Sequence, residues 1–246
     1  MKEIKQFHGH SGSKIYLMQN DGDLFVRKEG NITRNLERYE CLDSLNLVFP
    51  KIIRKGKDHY DMEYIKHLDM KTYLRFFDGS MLCDFILSVI SKLASEQTIK
   101  KYSNVYADMI ESSPWQMFSF KKDDFLEKLP AYLPCSKYHG DLTLENILFD
   151  TYHDRFVLID PITTVYDSFV FDLVKLNQDL LCGWFARNED ASISEKTKSI
   201  YEKIKSKYAF VDNKYLTILM LFRIMPYCKN ENDKNFLVKS IEDLWM

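Results

Sequence analysis

No stretch of this 246-residue sequence approaches the roughly 20 consecutive apolar residues that a bilayer-spanning helix needs. Repeats, low-complexity tracts and long linkers are also missing, so any lobes should be tightly joined. The opening MKEIKQFHGHSGSK lacks the apolar core of a signal peptide, and the expectation is a cytoplasmic protein with no membrane partner. Positive charge is not in excess: 34 Lys and Arg stand against 36 Asp and Glu, a formal net charge of −2. A long phosphate backbone would need a segregated basic patch, so nucleic acid is a poor default partner. The five cysteines, Cys41, Cys83, Cys135, Cys182 and Cys228, are odd in number, scattered and without a C-x-x-C pair. They read as reduced, mostly buried small apolar residues, not as a disulfide framework or a metal site.

What is present is an ordinary globular composition, 46% hydrophobic and 28% charged. The length suits one large domain or two lobes of about 100 to 150 residues each. KIYLMQN and DLFVRKEG carry strand-like apolar residues and flank Asn20-Asp21-Gly22, a hairpin turn signal. NITRNLERYECLDSLN follows, with Ile32, Leu36, Tyr39 and Leu42 or Cys41 at helical spacing behind Asn31 as expected N-cap. After Pro50 come two short strands, KIIRKGK and HYDMEYI, around Lys55-Gly56-Lys57. Further on the pattern turns helical in CDFILSVISKLASE, KTKSIYEKIKSKY, KYLTILMLFRIM and DKNFLVKSIEDLW. Only the region around residues 138 to 161 interrupts it, where NILFD and FVLID read as a hairpin closed by Thr151 to Arg155.

That interruption contains KYHGDLTLENILFD, residues 137 to 150. A polar loop between helices, leading into buried strands, presents side chains from a rigid base. Asp141 and Asn146 precede the hairpin and Asp160 ends it, so the three can converge at one mouth. Two carboxylates and an amide oxygen are hard ligands suited to Mg²⁺. Taken singly, Asp141 is an ordinary turn residue, Asn146 an ordinary local cap and Asp160 an ordinary strand end. The ordered set is what points to chemistry.

His139-x-Asp141, then Asn146, an apolar strand and Leu158-Ile159-Asp160 together resemble the catalytic loop and metal-binding Asp of the protein-kinase-like fold. HGD in place of HRD is similar to the branch of aminoglycoside phosphotransferases, choline kinases and related small-molecule kinases. The resemblance implies an α+β, bilobal fold: a small antiparallel β-sheet lobe with one helix over residues 1–66, and a larger, mainly helical lobe over 67–246. It implies ATP and Mg²⁺ as cofactors, Asp141 as the catalytic residue, Asn146 and Asp160 as metal ligands, and His139 and Asp172 as supports of the loop. Gly9, Ser11, Gly12 and Ser13 would cover the phosphates, although such a stretch also makes a plain turn. Lys28 would bind the α- and β-phosphates; the bland reading is a solvated edge-strand lysine. Glu37 and Glu40 both follow on the helix, and Glu40 is preferred as the partner of Lys28, having more chain in which to finish a strand. Glu63, Tyr64 and Ile65 would form the hinge that holds adenine. Asp167, Phe169, Phe171 and Trp184 read as core or pocket wall.

Pro161 stands where protein kinases carry Phe-Gly, which argues against a switch of that kind. Residues 176 to 246 balance 10 acidic against 11 basic side chains, no obvious trap for a polycationic drug. The expected acceptor is therefore a hydroxyl of a small molecule, such as a sugar or amino alcohol for surface-polysaccharide synthesis. The alternatives of the same fold are a protein kinase and a nucleotide-binding pseudokinase.

Overall fold

The computed structural model describes residues 1–7, 13–228 and 230–246. Its N-terminal region is an antiparallel sheet of β1 (Lys2–Phe7), β2 (Lys14–Asn20), β3 (Asp23–Glu29), β4 (Ile52–Lys55) and β5 (His59–Glu63), in the order β1-β2-β3-β5-β4. Asn20 pairs with Asp23 across the first hairpin, whose turn residues Asp21 and Gly22 have φ of 50° and 97°. Two successive positive φ values match the twist of the flanking strands, and Asp-Gly is a dipeptide that adopts them readily. Register then sorts the side chains. Val26 lies opposite Met62 and Lys28 opposite Tyr60 on one face, while Arg27 and Asp61 form a bidentate pair on the other, at 2.7 and 3.0 Å.

Helix α1 (Thr33–Leu42) connects β3 to β4. Its N-cap is Ile32, not Asn31, and its buried residues are Asn35, Arg38 and Leu42. Two polar residues thus face inward where an apolar stripe is expected.

Past Tyr64 to Lys66 the chain enters a second sheet. Strand β6 (His67–Asp69) pairs with β9 (Ile147–Asp150), which pairs in turn with β10 (Arg155–Leu158). The predicted β9–β10 hairpin is present, with Ile147 opposite Leu158. Around it lie α2 (Met70–Phe76), α3 (Ser80–Leu93), β7 (Thr98–Lys101), α4 (Ser103–Met109), α5 (Lys122–Leu126) and β8 (Tyr132–Cys135). Asp69 caps α2 through a 2.7 Å bond from the Thr72 amide. The chain ends in α6 (Phe169–Leu180), α7 (Ala191–Lys205), α8 (Lys214–Ile224) and α9 (Glu231–Trp245). Helix α6 is buried on nearly every face and packs against both α7 and α8, so it is the axis of the helical region. No helix among the described residues is long and apolar enough to cross a membrane.

Candidate active site

The polar loop between β8 and β9 is held by one face of α6. Asp172 accepts hydrogen bonds from the His139 and Gly140 amides at 2.5 and 2.8 Å. Lys175 forms an ion pair with Asp141, and Asp179 accepts from the Leu144 amide at 2.8 Å. Positions 172, 175 and 179 share one side of a helix, so a single rigid element meets the loop at its start, middle and end. Asp172 was expected in this role; Lys175 and Asp179 were not. The available signal was three charged residues at helical spacing within a mostly apolar segment, FVFDLVKLNQDL.

Burying these carboxylates displaces their ionisation. Burial pushes Asp172 up to about 6 and Asp179 up to about 7, in each case against the hydrogen bonds they accept. Asp141 responds in the opposite direction. Burial raises its carboxyl too, but Lys175, assisted by His139 and Asn146, outweighs this and holds it below the usual carboxylate range. His139 is buried, and burial lowers its imidazole to about 4, so the ring is neutral at physiological pH. Its Nδ1 accepts the Asp141 amide at 3.3 Å and its ring stacks on Phe49, the geometry of a loop support.

Gly140 between them has φ of 88°, and a Cβ there would lie 2.0 Å from the carbonyl oxygen of Ile162. No flexible side chain can relieve that contact, since the obstacle is backbone. The HGD sequence therefore permits the segment after Asp160 to run directly against the loop, where the Ile162 amide donates to the His139 carbonyl at 2.9 Å.

Asn146 closes a short 3-10 turn, and its Nδ2 donates to the Asp141 carbonyl and Oδ2 at 2.7 and 2.8 Å. The Asn146 carbonyl in turn accepts the Ile159 amide at 3.0 Å, which brings Asp160 beside it at the hairpin mouth. Asp160 has φ of 59°, a left-handed conformation that costs a non-glycine residue about 1–2 kcal/mol and must be over-determined by its surroundings. Helix α1 supplies that support. Asn35 donates to Asp160 Oδ1 at 2.7 Å and to the Pro161 carbonyl at 2.8 Å, while Arg34 and Thr163 exchange bonds at 2.7 and 3.0 Å.

Lys28, only 3% exposed, forms an ion pair with Asp160. The expected partner Glu40 is elsewhere: it is exposed and paired with Lys55 at 2.6 Å, and Glu37 is exposed as well. The physical reason is the rotation of α1, which turns Asn35 and Arg38 inward and leaves both glutamates in solvent. Gly9, Ser11 and Gly12 lie outside the described residues. Ser13 immediately precedes β2, beside Gly30.

Lys28 and Asp160 line a cavity of about 220 Å³ between the two sheets. Ile15 and Val26 wall it on one side, Leu148 and Ile159 on the other, and Glu63, Tyr64 and Ile65 lie along its edge. Two apolar walls with backbone at the rim suit a flat heteroaromatic ring. A larger, more open cavity of about 610 Å³ lies beyond Tyr138 and Asp167 and is lined by none of Lys28, Asp141, Asn146 or Asp160. Asp167 is engaged there by Lys100 at 2.8 Å, and Phe169 and Phe171 belong to the core.

An antiparallel sheet over a helical region, with a polar loop and hairpin between them, is the protein-kinase-like fold as it occurs in small-molecule kinases. The aminoglycoside phosphotransferase APH(4)-Ia, in a thermostable mutant, superimposes with a TM-score of 0.67 at 9% identity, covering 99% of this chain and 94% of that one. LicA in complex with AMP gives 0.61 at 17% identity, covering 99% and 92%. A choline/ethanolamine kinase family protein from Mesorhizobium loti gives 0.57 at 14% identity, covering 98% and 87%. No family model and no curated protein matches the sequence itself.

Proposed function

We propose that this protein is an ATP- and Mg²⁺-dependent phosphotransferase that moves the γ-phosphoryl group to a hydroxyl of a small molecule in the cytoplasm. The observation that carries this reading is that three separate stretches of chain meet at one apolar slot: Lys28 and Asp160 pair in its lining, and Asn146, whose carbonyl accepts the Ile159 amide, also binds Asp141. Nucleotide-bound structures of the same fold, with AMP, ADP or AMP-PNP, support placing the adenine in that slot, along Glu63 to Ile65.

The donor set fits Mg²⁺. Among the described residues no cluster of three or more His, Cys, Asp or Glu exists, as a dedicated all-protein cage would require. A carboxylate and an amide oxygen that leave other positions to phosphate oxygens and water are the usual Mg²⁺ arrangement. Asp160 and the Asn146 Oδ1 would hold the ion, with the Asn146 Nδ2 still committed to Asp141. When bound, the ion supplies neutralisation of charge on the β- and γ-phosphates.

The chain's own residues do the remainder. Lys28 binds the α- and β-phosphates. Asp141 accepts a hydrogen bond from the acceptor hydroxyl and aims its oxygen at the γ-phosphorus. The new oxygen–phosphorus bond forms as the bond to the β,γ-bridging oxygen breaks, and that electron pair leaves on ADP. The hydroxyl proton passes late to Asp141 and then to solvent, since a loose transition state asks little of the base.

After Asp160, where protein kinases carry their switch, Ile162, Thr163 and Thr164 are held by hydrogen bonds to His139, Arg34 and Tyr138, which favours a small-molecule acceptor. The acceptor class is a sugar or amino alcohol of the kind consumed in surface-polysaccharide synthesis. A panel of such hydroxyl compounds and generic protein substrates, incubated with γ-labelled ATP and Mg²⁺, tests it. Label on a small molecule is expected. Label on protein alone would establish a protein kinase, nucleotide binding without transfer a pseudokinase, and no nucleotide binding would end the assignment.

A further inference from the structure

Lys175 is a charged residue set among apolar neighbours. Its neighbours in α6, Leu173, Val174 and Leu176, are fully buried, and its own side chain is 12% exposed. An ammonium in that position loses hydration that an apolar side chain of the same length would not, and replacing buried ion pairs by apolar residues is often neutral or stabilising. The Lys175 ammonium has one carboxylate partner among the described residues, Asp141 Oδ1, and beyond it only the Gly140 carbonyl at 3.4 Å. The other oxygen, Asp141 Oδ2, receives Asn146 at 2.8 Å. The carboxylate is thus gripped from both sides, by a cation from α6 and by an amide from the loop, and cannot swing about its Cβ–Cγ bond without breaking one grip. Asp141 remains 35% exposed, so the clamp is closed behind the group and open in front of it.

Taking the phosphotransferase reading as its basis, we propose that Lys175 is a positioning residue for phosphoryl transfer. It fixes the plane of the Asp141 carboxylate so that the hydroxyl it orients lies in line with the γ-phosphorus. Rotational slack at that point is costly, because misplacement of a reacting group by about 1 Å can cost about 10²-fold in rate. Lys175 acts through Asp141 and is not among the residues that line the adenine slot.

The test uses the full-length chain with Lys175→Met and Lys175→Arg. Three readouts are ATP·Mg²⁺ affinity by calorimetry, ADP release with water as acceptor, and melting temperature without nucleotide. Lys175→Met is expected to lower kcat by about 10²-fold, with the KM for ATP within about threefold and nucleotide affinity unchanged. Lys175→Arg, which keeps the charge, should recover at least about tenfold of that loss. A Met variant within about threefold of wild-type kcat overturns the proposal. So does an Arg variant as slow as the Met variant, and so does loss of the fold in both, which would make Lys175 structural. A wild-type protein that neither binds nor turns over ATP fails at an earlier point and removes the phosphotransferase reading itself, so the two failures are distinguishable.

Discussion

The loop between β8 and β9 and the slot between the two sheets are built in opposite ways. The loop is fastened by buried charges on one helix, with Asp172, Lys175 and Asp179 each engaging a different part of it. The slot is shaped by strand register and apolar walls, and its buried lysine, Lys28, is already paired with Asp160. One half of the proposed site is therefore held by the chain itself, whereas the other half would have to rearrange its ion pair to receive phosphate. Preorganisation is concentrated where a reacting atom has to be aimed, and adaptability where a charge has to be accommodated.

If that division holds, substitutions on the two sides should separate turnover from binding. Asp141→Asn is expected to have the largest effect, a fall in kcat of about 10³-fold with ATP affinity retained, measured by ADP release and calorimetry. Parallel loss of affinity would erase the distinction. Lys28→Ala should do the reverse, weakening ATP·Mg²⁺ binding by about 10-fold or more, since a charge-assisted contact to phosphate is removed.

A smaller effect concerns pH. Asp172 and Asp179 titrate near 6 and 7 in the folded protein, above their unfolded value near 3.8. The native state therefore holds more protons than the unfolded chain between about pH 4 and 7, and stability from these groups is lost as pH rises through that window. Asp179→Asn keeps an acceptor for the Leu144 amide but cannot ionise. Its melting temperature relative to wild type should shift in the variant's favour between pH 5 and pH 8; equal slopes for the two proteins would falsify the assignment of burial to Asp179. Smallest of all, Glu40→Ala should change stability by no more than about 0.5 kcal/mol and leave nucleotide affinity within about twofold, because its ion pair with Lys55 is exposed. A large loss of ATP affinity would restore Glu40 to the site from which the structure removes it.

The sequence announces the loop and hairpin because their signals are local: polar residues at fixed spacing, then two short apolar strands around a turn. The Asn20-Asp21-Gly22 hairpin is legible for the same reason, its backbone demand being met by its own residues. What supports the site is less visible. Lys175 and Asp179 belong to a helix buried almost all round, where no apolar stripe marks the inward face and the charged residues stand out only once their partners are known. Asn35 is hidden differently: a neutral amide carries no expectation of pairing, and a glutamate five residues on, Glu40, fits the familiar pattern better. Strand β6 is three residues long and pairs with a strand about 80 residues away, so nothing nearby in sequence specifies it.

The Lys28–Asp160 pair has a consequence for the order of events in binding. Without ligand the Lys28 and Asp160 charges offset each other. Under the proposed phosphotransferase reading, admitting nucleotide would amount to an ion exchange, in which phosphate would take the lysine and a divalent metal the aspartate. A phosphate arriving alone would leave Asp160 facing like charge, and a metal arriving alone would leave Lys28 buried without a counter-ion. Each incoming charge makes room for the other, so the site should reject half a salt and admit the whole one.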